Sequence, residues 1–217
     1  MSGATIDELL LADEPERWAA LGFALSGDAV QLGGVRLAFT DPGAGRGIVS
    51  WSLRGILSTK LDGLATVASE RPIPPTAPEH PNGVVAIDHV VAISPALDRS
   101  VRVLQAAGLD LRRVREEPTP AGAPRQAFFR LGGEILELVA EPDVVGERFG
   151  GAERPAHFWG LALLSGDLEQ TVEVLGEHAG SIRDAVQPGR RIATVRRSAG
   201  VAVPIALMSA PERPGRS

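Results

Sequence analysis

One plan is written three times along this chain: a short amphipathic helix, a glycine, then short strands. A unit of this size cannot bury its apolar face alone, so the copies must pair or stack, and that limits the folds open to the chain. The first copy runs from Asp13 to Thr40, the second from Asp98 to Val139 and the third from Asp167 to Met208. Leu-Gly-Gly occupies matching places at 32–34 and 131–133, each time ahead of an apolar strand. Asp13 with Glu16, and Asp167 with Gln170, have the spacing of a capping box. Ser94-Pro95 suits the start of the middle helix, and Gly22, Gly108 and Gly176 or Gly180 suit left-handed stops. Val101, Leu104 and Leu109 give the middle helix one apolar stripe.

A near-continuous apolar strand precedes the helix in the second copy (Val84–Ile93) and in the third (Phe158–Leu164). A similar run, Ile48–Ile56, follows the first copy. It reads either as a displaced first strand, making the N-terminal module permuted, or as a hairpin partner of residues 35–40. Residues 68–82 are proline-rich and form neither a helix nor a central strand. They divide an N-terminal partial module (1–67) from a C-terminal part (83–211) holding two modules, 84–145 and 157–209. The fold class expected is α+β, with tandem βαβββ units curled into a mixed sheet.

Composition removes whole classes of function. The 217 residues carry a net charge of −5, against the basic face a nucleic-acid binder needs. Cysteine is absent, which excludes thiol catalysis, disulfides and Cys-ligated zinc. Lys60 is the sole lysine and no GxxxxGK surrounds it, so a P-loop is excluded. HExxH and GxSxG are absent too, against a zincin or an α/β-hydrolase. The acidic N-terminus is unlike a secretory leader, and Asp88 and His89 break the longest apolar stretch, so a cytoplasmic protein without a membrane span is expected.

The segment IDHVVAISPALDRSVRVLQAAGLDL, closed by FFRLGGEILELV, resembles the vicinal oxygen chelate superfamily, the group of glyoxalase I, methylmalonyl-CoA epimerase, extradiol dioxygenases and the bleomycin-resistance proteins. The resemblance runs from 84 to 209 and is fainter before it. It implies paired βαβββ modules forming an open cup, with a divalent metal on the floor in the enzymes of the group. His89 and Glu137 match the metal-ligand positions. Each is a polar residue set among apolar strand neighbours, where burial needs a reason. An imidazole and a carboxylate suit Fe, Mn, Ni, Co or Zn. The ligand set is incomplete: the matching positions are Gly160 and Ala206 in the third copy, and Trp51 and Ala38 in the first. Three readings of His89 and Glu137 stand: ligands of a partial metal site, a metal-free acid–base pair, or polar residues satisfied by each other or by an arginine.

Gln126 and Arg130 share a strand face, as do Thr194 and Arg196. Facing the cup, the arginines would favour a carboxylate or phosphate; at strand ends they would sit in water. Trp159, with Phe158, either stacks on a flat ligand or fills the core. His80 and His178 read as solvated. The function expected is a glyoxalase-like lyase or isomerase that moves a proton alpha to a carbonyl. The alternative is a metal-free protein that sequesters a small molecule, as the bleomycin-resistance proteins do. The partner expected is a small anionic or carbonyl-containing ligand, with neither nucleic acid nor membrane. An odd number of modules leaves one without a mate in the chain, from which a homodimer is expected.

Overall fold

The computed structural model describes residues 3–74, 77–119, 122, 124–142 and 150–211. It contains fourteen strands, three α-helices and three short 3₁₀ turns among those residues. The strands form two mixed sheets.

The first sheet comprises β1 (Thr5–Ala12), β2 (Leu25–Ser26), β3 (Ala29–Leu32), β4 (Val35–Thr40), β5 (Gly47–Arg54) and β6 (Thr66–Ala68), in the order β2-β3-β4-β1-β5-β6. Helix α1 (Pro15–Ala20) crosses between β1 and β2. The second sheet comprises β7 (Val84–Ser94), β8 (Asp110–Arg115), β9 (Gln126–Leu131), β10 (Glu134–Ala140), β11 (His157–Ser165), β12 (Arg183–Asp184), β13 (Arg191–Thr194) and β14 (Ile205–Ser209). Its order is β12-β13-β14-β11-β7-β10-β9-β8, with α2 (Leu97–Ala106) following β7 and α3 (Leu168–Leu175) following β11.

The first module is not permuted. Its opening strand is β1, parallel to β4 as β7 is parallel to β10. The run around 48–56 forms β5, which lies antiparallel to β1 and is neither a first strand of that module nor a hairpin partner of 35–40. It corresponds instead to β11, which lies antiparallel to β7. The match extends outward: β5 pairs in parallel with β6 as β11 does with β14. The chain therefore holds four modules. The second is reduced to its two inner strands, and residues 55–65 replace the helix and outer strands of a complete unit. Each module has its mate within the chain, so an unmatched module gives no reason for a second copy.

Period-2 alternation explains the layers. In β10, Leu136, Leu138 and Ala140 are buried beneath the helices, while Ile135, Glu137 and Val139 face the other way. Leu97 and Leu104 of α2 and Leu168 and Leu175 of α3 join the same core. The core is continuous across both sheets, and Trp51 of β5 meets Phe158 of β11 edge-on with ring centroids 5.1 Å apart. The β9–β10 turn presses on the start of β1. A side chain at Gly132, with φ +79°, would come within 2.9 Å of the Thr5 methyl, so this close approach requires glycine.

The helix ends follow the sequence signals in part. The Asp167 side chain accepts the Gln170 N–H, as a capping residue should. Asp13 does something else: it accepts hydrogen bonds from Trp18 Nε1 and the Ala202 N–H, tying α1 to the loop before β14. The proline-rich segment is docked against the first sheet. His80 is buried rather than solvated, its Nδ1 accepting the Ala24 N–H and its Nε2 donating to the Gln31 carbonyl. Among the described residues no helix is long and apolar enough to cross a membrane.

Candidate functional site

The site is built on a bulge in β7. Opposite β11, Ile87 pairs with Leu163 and His89 with Ala162, so Asp88 is an extra residue with no partner of its own. Adjacent residues in a regular strand point to opposite faces; the bulge lets Asp88 and His89 meet. Asp88 Oδ2 lies 2.8 Å from His89 Nδ1, and the other carboxylate oxygen accepts from Arg190 Nη2 at 2.6 Å. Arg190 is anchored in turn through Nε to the Ser209 carbonyl at 2.9 Å.

The other imidazole nitrogen, His89 Nε2, lies 3.2 Å from Glu137 Oε2. Glu137 Oε1 accepts from the Gln126 carboxamide on β9. His89 and Glu137 each retain 14% side-chain exposure, which leaves them reachable from the open face of the sheet. A line of contacts thus runs Arg190–Asp88–His89–Glu137–Gln126 across β7, β10 and β9.

Electrostatics separates the two carboxylates. Burial pushes the Glu137 carboxyl above the usual carboxylate range, only partly offset by His89 and Gln126. Burial acts on Asp88 too, yet the hydrogen bonds from His89 and Arg190 hold its carboxyl below that range. The charged form is thus favoured at Asp88, beside the imidazole, and disfavoured at Glu137.

Of the residues singled out from sequence, His89, Glu137 and Gln126 come together. Arg130 shares their face but turns back at the end of β9, its Nε donating to the Gly132 carbonyl. Arg196 lies beyond β13 with its backbone N–H on the His178 carbonyl and Nη1 3.4 Å from the Glu177 carbonyl, away from the pair. Trp159 does not fill the core. It is 53% exposed at a second bulge, between Phe158 and Gly160, while Phe158 takes the inward position. Asp88 and Arg190 escape a reading by alternation, because the bulge that recruits them leaves no mark in residue type. A cleft of about 630 Å³ lies elsewhere, between the 59–66 loop and α2 beside Arg99.

Register identifies which positions match the metal donors implied by the family resemblance. Glu137 lies opposite Val91, two residues after His89; Ala206 lies opposite Ala162, two after Gly160. In the first module Ala38 lies opposite Leu10, two after Glu8, so Glu8 rather than Trp51 matches His89. In the second sheet the four positions are His89, Glu137, Gly160 and Ala206. Two of them offer no donor atom, and both nitrogens of His89 already face carboxylates. No group of three potential metal-binding side chains gathers among the described residues. This donor set does not fit a four-ligand metal centre.

A family model for the Glyoxalase/Bleomycin resistance protein/Dioxygenase superfamily matches residues 86–201. The chain belongs to this superfamily. A mutant 4-hydroxymandelate synthase from Streptomyces coelicolor shares the fold, at TM-score 0.65 and 14% identity, over 99% of this chain and 95% of the other. A xylose isomerase-like TIM barrel/4-hydroxyphenylpyruvate dioxygenase fusion protein aligns over 98% of this chain and 50% of its own, at TM-score 0.62 and 13% identity. Methylmalonyl-CoA epimerase from Mycobacterium tuberculosis aligns over 60% of this chain and 91% of its own, at TM-score 0.47 and 20% identity. No curated protein matches by sequence.

Proposed function

We propose that this superfamily member is a small-molecule lyase or isomerase that transfers a proton alpha to a carbonyl through His89 and Glu137. The observation carrying this reading is the buried Glu137 carboxyl, 3.2 Å from one imidazole nitrogen and raised by burial above the usual carboxylate range. A base of raised pKa abstracts a carbon-bound proton more readily than an ordinary carboxylate does. In this scheme Glu137 takes the proton and His89 supplies or receives one at the adjacent oxygen. Asp88 keeps the imidazole in place, and Gln126 fixes the rotamer of Glu137. The proton transfer relies on these side chains alone, because Gly160 and Ala206 offer a metal no ligating side-chain atom.

The test is solvent deuterium incorporation, followed by proton NMR, over a panel of 2-oxo acids, hydroxy ketones and aldehyde adducts. Exchange is expected with at least one class, reduced by about 100-fold or more in Glu137→Gln and in His89→Asn. Absence of exchange across the panel, or exchange unaffected by Glu137→Gln, overturns the proposal. A second reading, stoichiometric capture of a ligand without turnover, has its own support in the exposed indole of Trp159 beside Gly160, two strands from Glu137. Quenching of that indole by a compound that undergoes no exchange would favour it.

A further inference from the structure

We infer that edge strand β8 carries an anion-binding site for the substrate, formed by Arg113 and Arg115 on the face that holds Glu137; this rests on the acid–base reading above and names the class of ligand it serves. A row of cross-strand partners leads from one to the other. Glu137 of β10 lies opposite Phe128 of β9, and Phe128 lies opposite Arg113 of β8. The Arg113 guanidinium sits over the Phe128 ring, 4.8 Å from its centroid, which places it on the Glu137 side of the sheet. Arg115 lies opposite Gln126, the residue that holds Glu137. A one-residue bulge at Arg112 sets this phase: Leu111 and Val114 turn to the core while Arg113 and Arg115 share the other face.

Neither guanidinium is in an ion pair among the described residues, in contrast to the neighbouring arginines of the same sheet that carry one. Arg112 pairs with Asp110, Arg125 with Glu116 and Asp98, Arg190 with Asp88 and Arg191 with Glu169. Among the described residues no carboxylate lies within 4 Å of Arg113 or Arg115, and none within 4 Å of Arg183 on the opposite edge strand, which faces Ile192 on the same side of the sheet. In a chain of net charge −5, unpaired arginines gathered on the face of an acid–base pair mark attraction to an anion. Strand spacing puts β8 about 10 Å from β10, two strands away. A ligand with its carbonyl carbon at Glu137 would lay its chain along Phe128 and reach the arginines with a carboxylate or phosphate at its far end. The chemical class is a carbonyl compound carrying a terminal anion.

Calorimetric titration of the full chain with sodium malonate and with inorganic phosphate, at constant ionic strength, tests the site and separates carboxylate from phosphate. Saturable binding of one probe is expected, weakened about tenfold or more in Arg113→Ala and in Arg115→Ala, as for loss of a charge-assisted hydrogen bond. Arg113→Lys should recover only part of it, because an ammonium lacks the guanidinium fork. Arg112→Ala, on a guanidinium already paired, should bind as the parent does. Glu137→Gln should keep probe binding while losing deuterium exchange. Binding lost in the arginine variants, with no exchange in any protein, would sink the acid–base reading and leave the anion site standing. No saturable binding of either probe, or equal binding in the Arg113→Ala/Arg115→Ala double variant with its circular dichroism intact, overturns the site.

Discussion

His89 and Glu137 are legible in the sequence because each interrupts an apolar strand, and a buried polar group must have a partner. Asp88 is not legible, since alternation sends it to the opposite face from His89. Its consequence is testable. In Asp88→Asn the imidazole loses its fixed anion, and Arg190, with 12% side-chain exposure, loses its counter-charge. Exchange activity should fall about 10- to 100-fold, with a changed His89 tautomer seen in its ring nitrogen shifts by NMR. An unaltered tautomer would show that Asp88 does not orient the ring. Glu137 makes a prediction about stability. Burial raises its carboxyl in the folded chain, so the fold binds that proton more tightly than the unfolded chain does. The stability from this group is complete below the unfolded value, and is lost as pH rises through the folded one. Glu137→Gln should therefore melt at least about 2 °C above the parent at pH 7.5, with the gap narrowing toward pH 5. A constant gap would mean that the charge on Glu137 costs the fold nothing.

Strand β1 shows how an element hides. Its sequence, TIDELLLA, reads as an acidic terminus, yet Ile6-Asp7-Glu8 matches Ile87-Asp88-His89 down to the bulge: Ile6 pairs with Leu53 and Glu8 with Ser52, leaving Asp7 extra. That likeness was present in the residues, but two acids in an eight-residue strand masked the apolar run. The two bulges have diverged. Around Asp7 the chain supplies its own cations, with Arg54 on one carboxylate oxygen and Arg71 and Ser69 on the other at 2.8 and 2.6 Å. Arg71 also reaches Glu8 at 2.9 Å, so the residue matching His89 is already neutralised by an arginine from the proline-rich segment. Asp7→Ala strands Arg54, whose side chain is only 13% exposed. Breaking such a pair costs about 3 kcal/mol, which corresponds to a fall of roughly 6–12 °C in melting temperature for a chain of this size. Exchange activity at 25 °C should be unchanged, in contrast to Asp88→Asn. A loss of activity without a loss of stability would mean that the first sheet takes part in the chemistry.

At the scale of the whole molecule, the repeat made four modules readable as three, because the second keeps only two strands and no helix to announce it. What the repeat did convey is that paired units share one interior, and that has a thermodynamic consequence. The buried cluster passes without a break from Trp18 of α1 and Leu37 of the first sheet to Phe129 and Leu207 of the second. Polar ties cross the same boundary: Arg17 Nη1 donates to the Gly200 carbonyl, Asp13 accepts from Ala202, and Arg99 of α2 pairs with Asp62 of the 55–65 loop. Neither sheet can unfold without exposing apolar surface that belongs to the other, so the chain should melt as one cooperative unit although its sheets are consecutive in sequence. The tryptophans report on both. Trp18 and Trp51 are buried in the first half, and Trp159 is exposed in the second. Urea unfolding followed by fluorescence and by far-ultraviolet circular dichroism should give coincident midpoints, and Trp159→Phe should change the signal but not the midpoint. Two separated transitions would show that the shared core is too thin to couple the halves, and residues 83–211 would then be expected to fold, and to keep the His89–Glu137 site, on their own.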